Sequence, residues 1–283
     1  MASSAFWPCI VLSSVPVELR RQRPLLGCFV EIGVRARSLG AQRSVTRAFD
    51  QVELVHRLLS FHNPDSDLSR LNRASGSEVV LHPIAAHVLH LACKTMQASG
   101  GLFNCTVGGE LVSLRRLPEI VSAPVVDVGE ASDIQLCGRR ARLVRPVLIT
   151  LDGIAKGYAV DLAVASLERD GIDAGWVNAG GDMRVFGELR IPVHRRELDG
   201  RLVAIGELGR GAIATSRVDS GIDARFPGMI VGSGKAKPAR GLWTVLARRA
   251  WLADALTKIA ALASVTERSG LLERLGARLL PAC

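Results

Sequence analysis

Leu151-Asp-Gly-Ile-Ala-Lys-Gly-Tyr-Ala-Val-Asp161 and Trp176-Val-Asn-Ala-Gly-Gly-Asp182 bracket the stretch whose reading decides the fold. Between them Ile154–Arg169 carries one apolar stripe through Ile154, Tyr158, Leu162 and Ala165, and a second through Val160, Val164 and Leu167. A helix that is apolar on two faces is a buried one. Gly171 follows it as a C-cap. Each flanking turn joins glycine to charged or amide side chains. Glycine lets a backbone approach a ligand closely, and a helix N-terminus offers free N–H groups to an anion. The stretch therefore reads as a site-building unit inside a core, and the rest of the chain is read outward from it.

Upstream, Leu25–Arg37 alternates with period two and predicts a first strand. Arg43–Ser60 predicts an amphipathic helix through Val45, Phe49, Val52, Val55, Leu58 and Leu59. Ser66 or Asp67 can cap a short helix over Leu68–Asn72, and Pro83 opens a helix over Pro83–Gln97. Gly101–Gly109 reads as a polar loop, and Val125–Leu148 as short antiparallel strands turning at Gly138-Arg-Arg. Downstream, strands are expected at Ala174–Val177, Met183–Phe186, Leu202–Gly206, Gly211–Ala214 and Leu242–Ala247. Helices are expected at Ala250–Leu262 and Ser269–Leu280. No internal repeat occurs, and no linker separates independent domains.

Composition narrows the function. The chain has 283 residues, is 48% hydrophobic and carries a formal charge of +9. Its arginines (Arg35, Arg115, Arg139, Arg195, Arg248) are scattered, whereas a nucleic-acid footprint clusters. Aromatics make up 4% of the chain, too few for a base-stacking platform. No nucleic-acid partner is expected. The six cysteines form no Cys-x-x-Cys pair, which suits reduced thiols. The apolar run Ala5–Val17 has its basic residues after it, the reverse of a secretory signal, so a cytoplasmic protein is expected. No run is long and apolar enough for stable membrane insertion. His82, His87 and His90 lie close together along one helix, but Pro83–Gln97 holds no acid to complete a ligand set; a packed or half-exposed helix face is the expectation.

Three features carry chemistry. At Thr150-Leu-Asp-Gly-Ile-Ala-Lys156, free carbonyls can ligate a hard cation and Lys156 can meet a phosphate as a point charge. A capped helix with a solvated lysine is the competing reading. Asn178-Ala-Gly-Gly-Asp182 can be a ligand-facing turn or a tight hairpin. In Ala253-Asp-Ala-Leu-Thr-Lys258, residues Asp254, Thr257 and Lys258 share a helix face. Asp254 could hold Mg²⁺ with the Thr257 hydroxyl, or pair with Lys258 on a solvated face. The Ala- and Leu-rich surroundings argue for burial, and a buried carboxylate needs a partner or a metal. No Ser-His-Asp arrangement and no P-loop occurs. Metal and phosphate handling is what remains.

At these residues the chain resembles the ApbE family of FAD:protein FMN transferases. The resemblance rests on Gly153-Ile-Ala-Lys-Gly-Tyr-Ala-Val-Asp161, Val177-Asn-Ala-Gly-Gly-Asp182 and Ala253-Asp-Ala-Leu-Thr-Lys258. In the same order, Arg23–Ile32 is similar to the family's opening strand, and Ser66-Asp-Leu-Ser-Arg-Leu-Asn72 to its Ser-x-Leu-x-x-Leu-Asn segment. Ser99-Gly-Gly-Leu-Phe-Asn-Cys-Thr-Val107 and Ala214-Thr-Ser216 also find counterparts. It covers about residues 22–265.

The resemblance implies an α+β fold, with mixed or antiparallel sheets, packed helices and two lobes sharing one core around a flavin-nucleotide cleft. Residues 1–22 then read as a loosely ordered leader and 23–283 as one flavin-transferase domain. It implies Mg²⁺-dependent transfer of FMN from FAD to a threonine hydroxyl of an acceptor flavoprotein of electron transfer, with release of AMP. Asp254 becomes a metal ligand with the Gly153 carbonyl and Thr257, and Asp254 and Lys156 become the catalytic pair. Leu26, Phe103, Asn104, Thr150, Lys156, Asn178, Gly180 and Gly181 fall where the family holds the flavin and its nucleotide. Departures are specific. Asn104 and Thr150 replace acids, and Lys258 replaces a threonine that many members carry. Met229-Ile-Val-Gly-Ser-Gly-Lys235 replaces His-x-x-Asp-Pro-x-Thr-Gly, whose histidine is a candidate base. A non-catalytic FAD-binding protein, or an FAD pyrophosphatase giving FMN and AMP, are the alternatives this loop leaves open.

Overall fold

Seven antiparallel strands and the helices laid on them form the larger part of the protein in this computed structural model, which describes residues 17–36, 40–219, 230–232 and 237–281. The strands are β1 (Val17–Leu25), β2 (Cys28–Ala36), β3 (Val79–Val80), β4 (Ile134–Cys137), β5 (Arg140–Leu143), β6 (Ala174–Ala179), β7 (Asp182–Phe186), β8 (Ile191–Arg196), β9 (Leu202–Leu208), β10 (Gly211–Val218), β11 (Gly241–Ala247) and β12 (Ala277–Leu280). The helices are α1 (Ala41–Leu59), α2 (Asp67–Arg73), α3 (Pro83–Ala98), α4 (Gly108–Ser113), α5 (Ala155–Arg169), α6 (Ala250–Leu262) and α7 (Arg268–Arg274). The large sheet runs β1-β2-β6-β7-β10-β11-β12, a small sheet runs β3-β5-β4, and β8-β9 is a separate ribbon. Every ladder between named strands is antiparallel; among the described residues one parallel bridge joins Val126 to Val147. The α+β expectation holds.

Period two on β2 explains its place. Val30, Ile32 and Val34 all turn to the core, where α1 presents Val45, Phe49, Val52 and Val55. On the opposite face Gly33 leaves room for an indole: a Cβ there would lie 2.4 Å from Trp176 Nε1. The core is continuous from β2 through α1 and α5 to Leu81, Leu89 and Leu148 beside the small sheet, so the two parts share one interior. Helices α5 and α6 meet at Gly157, where a Cβ would lie 2.3 Å from the Ala250 carbonyl. That backbone contact brings the first turn of α5 to the first turn of α6.

Four sequence expectations change. Val17–Gln22, assigned to a leader, belongs to β1, and the expected first strand resolves into the end of β1, a turn and β2 (Cys28–Ala36), with Arg37 outside the described residues. Arg20, Arg21 and Arg23 hid this strand because an edge strand tolerates charges on its open side. The last helix stops at Arg274, and Ala277–Leu280 pairs with β11 instead; Gly276, at φ +82°, turns the chain. Strand β8 was not foreseen, and α4 begins inside the expected Gly101–Gly109 loop. The turn at Gly138 lies where expected, between β4 and β5. Of the span Met229–Lys235, only Ile230–Gly232 falls within the described residues. No described helix is long and apolar enough to cross a membrane.

Candidate functional site

Asp254 stands on α6, 1% exposed, among Ala253, Ala255, Leu256 and Ile259. A carboxylate so placed must be paired, and it is. Its Oδ2 accepts the Gly157 N–H at 3.2 Å, across the helix crossing. Its Oδ1 takes an ion pair with the Lys258 ammonium one helical turn later. The Asp254 backbone carbonyl accepts from Lys258 Nζ at 3.1 Å and from Thr257 Oγ1 at 2.7 Å. Thr257 Oγ1 also lies 2.6 Å from Ser216 Oγ on β10, so the helix is tied to the sheet.

A second buried carboxylate, Asp182, opens β7 directly after the Gly180–Gly181 turn. Both readings of that turn are true. It is a tight hairpin, with Ala179 paired to Asp182 and the glycines at φ +63° and +106°. It is also the roof of the charged cluster. Asn178 Oδ1 accepts the Gly181 N–H at 2.9 Å. Asp182 Oδ2 lies 3.6 Å from Lys156 Nζ, and it is buried with no hydrogen-bond partner among the described residues. Burial, reinforced by the charge of Asp254, pushes the Asp182 carboxyl up to about 6, against the pull of Lys156 and Lys258. Asp182, with help from Asp254 and Asp152, holds the Lys156 ammonium well above its ordinary range. Lys156 keeps 37% of its side chain exposed.

Some of the other expected residues adjoin this quartet of charges, and others do not. A Cβ on Gly153 would lie 3.2 Å from Lys258 Cε and 3.3 Å from the Phe103 ring, which places Gly153, Phe103 and Lys258 together. Leu26 makes the β1–β2 turn at φ +56°, a strained conformation for a bulky residue. The next residues reach the second turn: a Cβ on Gly180 would lie 3.1 Å from Cys28 Sγ. Thr150 is buried, its N–H donating to the Cys105 carbonyl at 2.9 Å and its Oγ1 accepting the Asp152 N–H at 3.4 Å. Asn104 is turned to the protein itself. Its Nδ2 donates to the Gly129 carbonyl at 3.0 Å, and its Oδ1 accepts from Thr106 N and Oγ1, both at 2.7 Å. An aspartate could not make the first of these bonds, which gives the asparagine a structural purpose.

Two site residues escaped the sequence reading. Asp182 was quoted only as the end of a turn; its signal was a carboxylate opening an apolar strand. Cys28, after the Leu26-Gly27 turn, was not read as a site residue. Its thiol is pushed up by burial, with Lys156 pulling the other way. The histidines serve elsewhere. His82 Nδ1 caps α3 by accepting the Ile84 N–H at 3.2 Å, and the His87 ring lies 5.8 Å from that of Tyr158.

The residues expected to hold Mg²⁺ do not fit that ion as folded. All the oxygens of Asp254 are engaged, and Thr257 Oγ1 is shared between Asp254 and Ser216. The stem of Lys258 covers Gly153. Among the described residues no group of three or more His, Cys, Asp or Glu side chains could hold a metal.

A model of the ApbE family matches residues 26–280. A curated FAD:protein FMN transferase of Vibrio cholerae serotype O1 is 29% identical over 190 residues, 58% of this chain and 55% of its own length. A protein of the same name from Rhodobacter capsulatus is 31% identical over 139 residues, 43% of this chain and 26% of its own. The chain thus spans about half of the first relative and about a quarter of the second. The solved structure of flavin transferase ApbE from Vibrio cholerae superposes with a TM-score of 0.77 at 22% identity, covering 92% of this chain and 91% of that one. At that identity the likeness is one of fold.

Proposed function

Since the chain belongs to the ApbE family, we propose that it transfers FMN from FAD to a threonine hydroxyl of an acceptor flavoprotein. The hydroxyl oxygen bonds to the FMN phosphorus, and the bond from that phosphorus to the bridging oxygen breaks. AMP leaves with the bridging oxygen, and the hydroxyl proton passes to a base or to water. Lys156 meets the phosphates, and Leu26, Phe103, Thr150, Asn178, Gly180 and Gly181 line the flavin nucleotide. Asn104 acts behind them by holding the Phe103 loop to Gly129. The chemistry asks for positive charge at the attacked phosphoryl and the leaving AMP. The Mg²⁺ expected for that purpose does not fit the residues as folded, so no step runs through it.

One observation carries the reading: Gly157 and Asp254, from two motifs 97 residues apart, are hydrogen-bonded to each other. Motifs that are separate in sequence adjoin in space, which supports reading them as one site. The Met229–Lys235 span, which lacks the family's histidine, supports a non-catalytic FAD-binding protein as a second reading. The test mixes the full chain with FAD and a threonine-bearing acceptor domain and follows AMP and protein-bound flavin. Flavin on the acceptor is the expected result. FMN and AMP with an unlabelled acceptor would replace transfer by hydrolysis. Tight FAD binding with neither product would remove both activities in favour of the second reading.

A further inference from the structure

We propose that the Lys258 ammonium is the resident cation of this site, doing from within the chain what a free divalent ion would do, so that FAD binds without metal. The inference rests on the nucleotide-binding reading above. Its basis is where Lys258 sits. The ammonium is paired with Asp254 Oδ1 and donates to the Asp254 carbonyl at 3.1 Å. The remaining Asp254 oxygen holds the Gly157 N–H. The Lys258 stem lies against Gly153 and faces the same side as the Phe103 ring. Two of the three residues expected to ligate a metal, Gly153 and Asp254, thus face one lysine.

An ammonium has three donors. Two are used on Asp254, and the third is left for a phosphate oxygen. The side chain is 20% exposed, enough to reach a ligand and too little to be a freely solvated lysine. A divalent ion could reach Asp254 only by expelling this ammonium, which would strip a buried carboxylate of a partner that costs no entropy of capture. Lys156 stands on the other carboxylate at 3.6 Å. The site therefore presents two ammonium groups to a pyrophosphate, each anchored by a buried aspartate.

Two measurements on the full chain test this. The first is FAD affinity by flavin fluorescence, in EDTA and in Mg²⁺, for the wild type, Lys258→Thr and Lys258→Arg. The wild type and Lys258→Arg should bind equally in both media. Lys258→Thr should lose about tenfold in EDTA, the worth of one charge-assisted contact, and regain it in Mg²⁺. The second uses Mn²⁺ alone, followed by its paramagnetic resonance without any nucleotide. The wild type should bind no stoichiometric Mn²⁺, and Lys258→Thr should bind one. A wild type that binds one Mn²⁺ lost in Asp254→Ala, or whose FAD affinity collapses in EDTA, would overturn the proposal. Should no form bind FAD while the Mn²⁺ results stand, the nucleotide reading fails and the cation assignment survives. Should Lys258→Thr not fold, by circular dichroism, the wild-type arms still decide.

Discussion

Asp254 and Asp182 are both buried, each has a lysine beside it, and they belong to different regions that meet in one cluster. Their states differ. Asp254 on α6 is closed, with every oxygen occupied by the protein. Asp182 on β7 is open: one oxygen is buried without a hydrogen bond, and its lysine stands off at 3.6 Å. A buried acceptor without a donor is costly, of the order of 1–3 kcal/mol. A fold keeps such a group where a ligand or a proton completes it. On the proposed reading the contrast separates two jobs: the α6 carboxylate fixes geometry, and the β7 carboxylate leaves room for what binds.

The largest effect should follow from breaking the closed member. Asp254→Ala removes the acceptor for Gly157 and the anchor of Lys258 together. Truncating one partner of a buried pair costs about 3–5 kcal/mol, and Lys258, being partly exposed, relieves some of this by turning outward. A stability loss of about 3 kcal/mol in urea titration is expected, with the circular dichroism spectrum unchanged and no AMP released from FAD. Activity equal to the wild type would remove Asp254 from the site.

The open member should show itself through pH. Burial holds the Asp182 carboxyl at about 6, above its ordinary 3.8. The folded protein therefore keeps this proton where the unfolded chain has lost it. The resulting stability is full below the unfolded value and disappears as pH rises through the folded one. Between pH 4 and 6.5 the wild type should lose on the order of 1–3 kcal/mol relative to Asp182→Asn, which cannot ionise. Unfolding curves of the two proteins that run parallel across that range would show Asp182 to be an ordinary carboxylate.

The same contrast marks what was legible in the sequence. Helix α5 and its two glycine turns could be read because period, caps and composition agreed. Asp254 could be read as buried because it is the one acid in an apolar helix. Its pairing with Lys258 follows from i, i+4 spacing, although the lysine first looked like a mere departure from the family. The state of Asp182 could not be read, because it depends on β7 pairing with β6 and packing against α5, with Lys156 reaching across. Strand β1 was hidden by its arginines, β8 by weak alternation, and β12 by a helical spacing that Gly276 cuts short. The inward hydrogen bonds of Asn104 depend on Gly129, 25 residues away, and nothing local announced them.

The smallest effect separates the turn from the carboxylate it carries. Asn178 Oδ1 holds the Gly181 N–H at 2.9 Å, and Gly180 and Gly181 are both at positive φ. Asn178→Ala frees one N–H that water can reach, so the stability cost should be about 0.5–1 kcal/mol. The loosened turn should admit water to Asp182 and lower its folded pKa. The stability step between pH 4 and 6.5 should then move to lower pH, while the properties of Asp254 and Lys258 stay as they are. A step left in place would mean that β7 alone, through Lys156 and the core behind it, holds the open carboxylate, and that the glycine turn serves only the ligand.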